Sequence, residues 1–516
     1  MSARLKKTVL ITQEDFYDDA TAKEEQAERW ALSDIKKIIR QYLSAFSSYE
    51  QGLNAPESTI SGSYNIYYNQ TRLLLKVHTD FIANEGHINI LQYVNLTDLG
   101  DLKVLFRPLS SITERFEFAI AKFGDVCSWD LYFNLLTCYH SQLEDFTSLP
   151  GHIIIDLFQK FQELSLRLVH IHFEELESWS SAAAHEGEDQ EPADSKDTSG
   201  QPPNSSGTVV DGESGFMEMQ DEITPKTFID TLAVCYGCIA TLVELLIETH
   251  SGSLDAVSIV QANFLEEAVD NFKIQLDRHL NVVSSASFGE RSSAVPPDTE
   301  ELELAIWTID GLRAVSMGGF AGLKTFLAPI SEETADLCMN KYLIAVDLLQ
   351  LVVQQTNGSE FPQVWAVRTE IGRILSAVET ALAQKRQNIV SGRLKEMDNE
   401  LSPTVFKLCD IMVSRSDNEL HRYIMKSAAT ATDSTAAKTS DILLKNAKVL
   451  LKNAATISQQ PCGFREYISD KLKRNFIYRQ AADRLDYIEN KSPAKEAILE
   501  ICQDHPYYAQ LRAKEK

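Results

Sequence analysis

Tyr67-Tyr68-Asn69 and Tyr132-Phe133-Asn134 open two similar stretches of the chain, and these stretches decide the fold prediction. Each triplet is followed by a run with few polar residues, Leu73-Leu74-Leu75 in the first stretch and Leu135-Leu136-Thr137-Cys138-Tyr139 in the second. Both runs have the length and composition of a helix that packs against others. We therefore interpret the two stretches as related helices.

A second pattern lies between the two triplets. It reads Ile112-x-x-x-Phe116-x-x-Ala119-x-x-x-x-Gly124, and it has an earlier counterpart in Ala45-x-x-x-Tyr49-x-x-Gly52 followed by Pro56. Helical segments that recur in degenerate form are typical of helical repeat proteins. No segment alternates between polar and apolar residues for long, so the sequence predicts an all-α fold without a sheet.

The second pattern resembles the second helix of the tetratricopeptide repeat (TPR), a pair of antiparallel helices of about 34 residues. Small residues lie where the helices of such a pair touch, and large residues fill the adjacent hole. A third copy of the spacing is Ala481/Leu485/Ile488 followed by Pro493, and the two aromatic triplets resemble the first helix of the repeat. The resemblance implies a right-handed α-solenoid of antiparallel helix pairs.

The best match covers residues 40–170, with a weak copy near residues 481–493. This sequence departs from the family at Thr71 and Leu136, where the family has a small residue. The distance between Tyr67 and Ile112 also requires an insertion of about one repeat. Another helical repeat and an unrelated helical fold are the alternatives to the TPR-like solenoid.

Changes of composition divide the chain into six predicted regions. They are an acidic tail (1–19), N-terminal TPR-like helical pairs (20–179), a disordered acidic linker (180–223), a middle helical-repeat region (224–427), a mobile linker (428–440) and a basic C-terminal helical region (441–516). The acidic linker cannot bury enough apolar area to offset the entropy of ordering, and it interrupts the solenoid. We expect the helix after Thr224-Pro225 to stack on the helix that ends near Trp179.

The acidic linker contains the residues that the sequence suggests for binding a partner. A flexible anionic arm could shield a basic client protein, and the short run Phe216-Met217-Glu218-Met219 is a candidate docking motif. A solvated tether without a binding role is the alternative. The candidate partner-binding residues are Glu186, Glu188, Asp189, Glu191, Asp194, Phe216, Met217 and Met219.

The net charge of −25 is unevenly distributed. Residues 434–516 carry 15 Lys and Arg against 10 Asp and Glu, a net charge of +5, so the rest of the chain carries −30. Such a surface repels phosphate, so neither nucleic acid nor an anionic membrane is expected as a partner. The first residues do not form a signal peptide, and no run reaches the ~20 apolar residues of a membrane span. The eight scattered cysteines indicate reduced thiols in the cytoplasm or the nucleus.

Three residue groups have types and spacings that occur in functional sites, but none of them predicts a reaction, a cofactor or a metal site. Cys235-x-x-Cys238 falls inside a helix, where both residues are expected to pack as small hydrophobes. His170-x-His172 is expected at a solvated helix end. Gly318-Gly319-x-x-Gly322 lacks the lysine of a phosphate-binding loop and predicts a turn between helices.

Near the C-terminus, Leu443/Leu450/Ile457 repeat every seven residues and predict the packing of a last hairpin, with Lys445 and Lys452 sharing one face. These features favour a non-enzymatic adaptor, and the acidic excess suggests a chaperone for basic clients such as ribosomal proteins or histones. A structural subunit of a larger complex is the second hypothesis, and a helical enzyme is the third. Oligomeric state does not follow from the sequence.

Overall fold

The protein is described here from a computed structural model. The structure describes residues 10–83, 88–185, 223–252, 257–285, 298–332, 338–356, 361–394, 400–429, 434–463, 466–489 and 505–509. Throughout these ranges the chain is helical and contains no strand, so the predicted all-α class is confirmed.

The helices follow one another along the chain with connections of varied length. The first seven are α1 (Gln13–Glu28), α2 (Ile35–Leu53), α3 (Ile60–Val77), α4 (Leu109–Phe123), α5 (Trp129–Glu144), α6 (Gly151–His185) and α7 (Pro225–His250). The others are α8 (Ile259–Ser285), α9 (Glu300–Leu327), α10 (Met339–Gln355), α11 (Phe361–Val390), α12 (Leu401–Ala429), α13 (Ser434–Ser458) and α14 (Ile468–Ile488). Most helices pack mainly on their neighbours in sequence, but α7 packs most extensively on α9, and it also packs on α5.

The first helix begins earlier than the sequence predicted. Residues 1–19 were expected to form an acidic tail, but α1 starts at Gln13. The Thr12 hydroxyl accepts a hydrogen bond from the Asp15 backbone at 3.1 Å, and the Asp15 carboxylate accepts one from the Thr12 backbone at 2.9 Å. This capping box satisfies two amides at the helix start, so Asp15 is a cap residue and not part of a loose tail.

Small residues of the repeated patterns lie at helix contacts, as the sequence predicted. A Cβ added to Gly52 of α2 would stand 2.8 Å from Ile66 Cδ1 of α3 and 3.0 Å from Phe16 Cβ of α1. Ala45 and Ala119 are also fully or almost fully buried. Because no larger side chain fits at Gly52, the three helices approach one another there.

The connection between α3 and α4 is the predicted insertion. A π-helical turn (His78–Ala83) continues α3, and short 3-10 helices occupy Ile90–Tyr93 and Leu102–Val104. Ile90 and Leu105 are fully buried. The insertion therefore adds to the core of the N-terminal helices instead of projecting away from it.

Helix α7 packs on α6, so the helical array continues across the acidic segment between them. The Thr231 hydroxyl of α7 lies 3.4 Å from His172 Nδ1 of α6. By length and composition α7 is also the one helix of the described ranges that could cross a membrane, with a mean hydropathy of 1.7. More than half of that stretch, 56%, is buried against other helices, as a core helix of this fold requires.

Helix α9 bends sharply at the glycines that the sequence marked as a turn. Gly319 has φ 52° and ψ −138°, a conformation that glycine adopts readily and other residues avoid. Beyond the bend, Gly322 comes so close to the first half of the helix that an added Cβ would lie 2.6 Å from the Ala314 carbonyl oxygen. The glycine motif is therefore a packing feature of α9.

Replacing Gly322 with Ala should lower the free energy of unfolding by about 1–3 kcal/mol, since the obstructing atom belongs to the backbone and cannot rotate away. Gly318→Ala is the matched control. Nothing lies within 4 Å of the position of its Cβ, so this change should be neutral or stabilise the helix by up to about 1 kcal/mol. Urea denaturation of both variants measures the difference, and equal midpoints would contradict the described bend.

Helices α12 and α13 form the most closely packed pair, and they correct two predictions. The sequence pattern also predicts two separate short helices at about 403–414 and 417–428, in addition to the mobile linker at 428–440. Instead, α12 is continuous from Leu401 to Ala429, and α13 begins at Ser434. The buried Ser416 hydroxyl donates to the Ala447 carbonyl oxygen of α13 at 3.2 Å. Tertiary packing thus stabilises a polar stretch whose helix propensity is weak. The predicted packing of Leu443 and Leu450 is confirmed, because both are buried.

The last helix returns to the start of the array. The Ile468 amide at the beginning of α14 donates to the Ala31 carbonyl oxygen, between α1 and α2, at 3.2 Å. Helix α14 also contacts the 3-10 segment Ile90–Tyr93. Residues 505–509 then pack on α12 and α14, where the Tyr508 hydroxyl donates to the Asp417 carboxylate at 3.2 Å. The two ends of the described chain therefore support each other.

Candidate binding groove

The residues that the sequence proposed for partner binding lie outside the described residues. They are Glu186, Glu188, Asp189, Glu191, Asp194, Phe216, Met217 and Met219. The candidate site on the described helices is formed by other residues, which the sequence did not indicate.

The Cys235/Cys238 pair is structural, as expected. Both side chains are fully buried in α7, and burial raises the pKa of Cys235 to about 12. A thiol with so high a pKa is a poor nucleophile and a poor metal ligand at neutral pH. In the described ranges, no group of three or more His, Cys, Asp or Glu side chains is arranged to hold a metal ion.

The His170/His172 prediction is wrong for His172. His170 is exposed and lies 3.2 Å from Glu174, as a solvated helix face predicts, but His172 is fully buried. Its ring lies edge-on to Trp129 of α5, with 5.2 Å between centroids, and α7 covers it from the other side. Burial lowers the pKa of His172 to about 4, so it is a neutral core residue at physiological pH.

Two adjoining cavities form a groove beside α10, α11 and α12. Their volumes are about 610 Å³ and 740 Å³, and both are lined by Pro403 and Lys407 of α12. The first cavity extends from Asp347 of α10 to Lys473 of α14, and the second reaches Glu300 of α9. We call the two cavities together the α10–α12 groove. Its length along several helices suits an extended peptide better than a compact small molecule.

Asp347 is the principal acid of the groove. It projects from an apolar helix, and part of its side chain is exposed to solvent. Protein atoms nevertheless surround most of its carboxylate, and this partial burial raises its pKa to about 6. Glu244 and Glu248 of α7 lie nearby, and burial raises the pKa of both. The charges of Glu248 and Asp347 raise the pKa of Glu244 further. Within the described residues none of these three carboxylates pairs with a cation. This end of the groove therefore has uncompensated negative charge.

Asp410 of α12 lines the same cavity next to a buried lysine. Burial raises the pKa of Asp410 to about 6, and the charge of Lys473 partly opposes that effect. Lys473 is only 8% exposed, and its Nζ lies 5.8 Å from the centroid of the Phe406 ring. Asp410 is therefore partly compensated, in contrast to Asp347.

The charged side chains of the second cavity have hydrogen-bond partners. Glu400 pairs with Lys385 at 2.5 Å, and Glu300 accepts a hydrogen bond from Asn340 at 2.8 Å. The Lys407 ammonium donates to the Asn340 side-chain oxygen at 3.4 Å. The capacity to bind an added cation therefore concentrates at the Asp347 end of the groove.

Asp347→Asn should make the protein more stable at pH 7. A carboxyl whose pKa is raised from 3.8 to about 6 in the folded state binds its proton more tightly there than in the unfolded chain. Its stabilising contribution to the free energy of unfolding is therefore fully present below about pH 4 and is lost as the pH rises through 6. We expect a gain of about 1 kcal/mol at pH 7, less than the full shift implies because solvent screens the carboxylate.

Thermal or urea unfolding between pH 4 and pH 7 measures this effect. The variant should lose less stability than the native chain as the pH rises across that interval. Glu266→Gln on α8, which removes one exposed carboxylate away from the groove, is the matched control for the loss of one negative charge. If the stability difference between Asp347→Asn and the native chain were the same at every pH, the pKa of Asp347 would not be raised.

Sequence reasoning missed the groove because its acids come from helices far apart in the chain. Glu244, Asp347 and Asp410 lie on α7, α10 and α12, and only folding brings them to one region. One signal was present. Asp347 interrupts the apolar run Leu343-Ile344-Ala345-Val346 and Leu348-Leu349, and a carboxylate on such a helix needs a compensating partner or a function.

The fold and the groove define an all-helical protein with carboxylates beside a long surface groove. The chain belongs to the family of the Saccharomyces cerevisiae protein named "Uncharacterized protein YNL193W". It is 35% identical to that protein over 544 aligned positions, which cover 98% of this chain and 96% of the yeast protein. Residues 146–317 match the family described as the YNL193W-like protein middle domain, and residues 332–512 match the YNL193W C-terminal domain. No solved structure matches the chain.

The two matched regions meet in α9 and α10, at the groove. Asp347 and Asp410 belong to the C-terminal domain match, whereas Glu244 belongs to the middle domain match. Glu300 of the middle domain match also lines the second cavity, and Glu244 lies close enough to Asp347 for the two charges to interact, so both matched regions contribute residues in or near the groove.

Proposed function

We propose that this protein is a non-enzymatic scaffold that binds a basic segment of another protein in the α10–α12 groove, and that it acts as an acidic chaperone or adaptor. In this proposal the helices form a right-handed α-solenoid of TPR-like pairs. The packing of successive helices on one another supports that arrangement, because a solenoid is built from nearest-neighbour contacts.

The observation that carries the proposal is the group of unpaired carboxylates around Asp347. Burial destabilises the ionised forms of Glu244 and Asp347 in the free protein, and the charges of Glu248 and Asp347 destabilise the ionised form of Glu244 further. A lysine or arginine of a client would relieve both effects, because an opposite charge at close range favours the ionised carboxylate. Arginine fits better, since its planar guanidinium can bridge two carboxylates.

The acids of residues 180–223 extend the same proposal. Glu186, Glu188, Asp189, Glu191 and Asp194 would screen further positive charge of the client while the groove holds one segment of it. A partner of this kind is a protein, and the proposal places the protein in the cytoplasm or the nucleus, without a membrane or nucleic-acid ligand. The total charge of −25 supports that choice of partner.

Titration of the full chain with a fluorescein-labelled arginine-rich peptide tests the proposal, with a glutamate-rich peptide as control. We expect saturable binding of the basic peptide alone, weakening steeply as salt rises from low to physiological concentration. Binding that is absent, or insensitive to salt, would contradict the electrostatic part of the proposal.

A structural subunit of a larger assembly is the second candidate function. It is favoured by the exposed lysines of α13 and α14, such as Lys445, Lys452 and Lys471, because they give the basic C-terminal helices a charged surface on which another subunit could dock. Co-purification separates the two functions. A fixed stoichiometric complex favours the subunit, and exchangeable basic clients favour the chaperone.

A further inference from the structure

The outward face of α13 combines lysines with exposed aliphatic residues. Ile442 and Val449 are 59% and 49% exposed and lie on one face of the helix, seven residues apart. Lys438, Lys445 and Lys452 lie on the same face at intervals of seven residues. We call these five residues the α13 stripe.

The lysines of the α13 stripe have no ion-pair partner in the described residues, although the exposed Asp441 lies one turn from Lys438 and Lys445 on the same helix. None of the three forms an ion pair or a hydrogen bond within the described part of the chain. Some lysines elsewhere are paired, for example Lys385 with Glu400 and Lys273 with Asp277, whereas others, such as Lys324, are not. In a protein with a net charge of −25, three unpaired lysines on one helix face form a local basic surface.

The position of the stripe is fixed by the packing on the opposite face of the helix. Ala447 and Ala454 of α13 are fully buried against α12. The Ser416 hydroxyl donates to the Ala447 carbonyl oxygen, and Cys409 Sγ lies 3.7 Å from the Ala454 carbonyl oxygen. Because the backbones are this close, α13 cannot rotate, and its lysines and aliphatic residues stay on the surface.

We propose that the α13 stripe binds an acidic amphipathic helix of a partner protein. Ile442 and Val449 are separated by about 10.5 Å along the axis, which is the spacing at which one helix presents apolar residues to another. Lys445 and Lys452 follow each of them by three residues and would meet carboxylates on the partner. Charge complementarity thus selects an acidic partner, and the spacing selects a helix.

The alternatives fit the stripe less well. A nucleic acid would use the lysines but would leave Ile442 and Val449 in contact with phosphates or water. A membrane would use the aliphatic residues, but the stripe has no aromatic or leucine side chain of the kind that anchors an interfacial helix. The stripe is separate from the α10–α12 groove and has the opposite charge, so this inference does not depend on the proposed function.

Fluorescence anisotropy with a designed peptide tests the inference. The peptide is an amphipathic helix with leucines on one face and glutamates beside them, and the comparison peptide has the same composition in scrambled order. The full chain should bind the designed peptide at least about tenfold more tightly than the scrambled one, since only the first can meet apolar and charged positions together.

Two pairs of variants separate the contributions of the stripe. Lys445→Glu/Lys452→Glu should weaken binding of the designed peptide about tenfold or more at low salt. Ile442→Ser/Val449→Ser should weaken it at every salt concentration, because apolar contact is not screened. Lys324→Glu/Lys471→Glu, which reverses two exposed lysines outside the stripe, is the matched control and should bind like the native chain.

Three results would overturn the proposal. Equal affinity for the designed and scrambled peptides would show that the stripe does not select an amphipathic helix. Binding to phosphatidylcholine/phosphatidylserine vesicles that the stripe variants abolish would assign the surface to a membrane. Binding to duplex DNA that they abolish would assign it to nucleic acid. Circular dichroism of each variant verifies that the helices are intact.

Discussion

Phe272→Ala should lower the free energy of unfolding by about 3–5 kcal/mol, the largest effect on stability that we predict. Phe272 of α8 is fully buried. The centroid of its ring lies 6.1 Å from the ring centroid of Phe158 and 6.2 Å from that of Phe161, both on α6. Both pairs have edge-to-face geometry. The substitution removes an aromatic cluster that joins helices on either side of the acidic segment, and the cavity left behind cannot close without moving α6.

Phe264→Ala on the same helix is the control. Phe264 is 49% exposed, so its loss should change stability by no more than about 0.5 kcal/mol. Urea denaturation followed by circular dichroism measures both variants. If the two substitutions had equal effects, α8 would not pack on α6, and the helical array would not be continuous across residues 186–222.

Glu244→Lys/Asp347→Lys should abolish binding of an arginine-rich peptide, with an affinity loss of about 100-fold or more. The native carboxylates attract a client cation, whereas the two lysines would repel it at the same positions. The milder pair Glu244→Gln/Asp347→Asn removes the charge without reversing it. We expect it to weaken binding about tenfold and to fold at least as well as the native chain.

Glu266→Lys/Glu267→Lys is the matched control for the change in net charge. Both glutamates are exposed on α8, away from the groove, and the double variant alters the total charge by the same amount as the groove reversal. A loss of affinity in this control equal to that of the groove reversal would show that the peptide responds to total charge. The α10–α12 groove would then have no special role.

Much of the helical architecture could be predicted from the sequence because it depends on local patterns. The Thr224-Pro225 start of α7 was predicted from N-capping chemistry, and the structure shows Thr224 as the N-cap with Pro225 at the first position. The bend at Gly319 was predicted from the glycines. Short-range preferences decide where helices begin and bend, so these features are visible in sequence.

The corrections have a common physical cause. α12 continues through Ser416-Asp417-Asn418 because Ser416 and Asn418 are buried and hydrogen-bonded to residues of α13 and α11. His172 is buried because α5 and α7 cover the end of α6. Both outcomes depend on which helices meet, and a single sequence does not specify that for degenerate repeats.

The candidate site was less predictable than the fold. The unpaired acids that define it share a region only after α7 and α10 pack within the array, and only Asp347 stands out in its own segment, because it interrupts an apolar run. The predicted binding residues of the acidic linker, from Glu186 to Met219, lie outside the described residues and remain a prediction. Charge imbalance predicts a basic partner, and that partner also stays a prediction.

The central claim is that a basic segment of another protein binds in the α10–α12 groove. Photo-crosslinking tests it most directly, using an arginine-rich peptide that carries a benzophenone group, followed by identification of the modified residues by mass spectrometry. We predict adducts on the groove walls at Leu343, Gln350 and Phe406, and their loss in Glu244→Gln/Asp347→Asn. Adducts spread over exposed acidic surfaces, or unchanged in that variant, would contradict the claim.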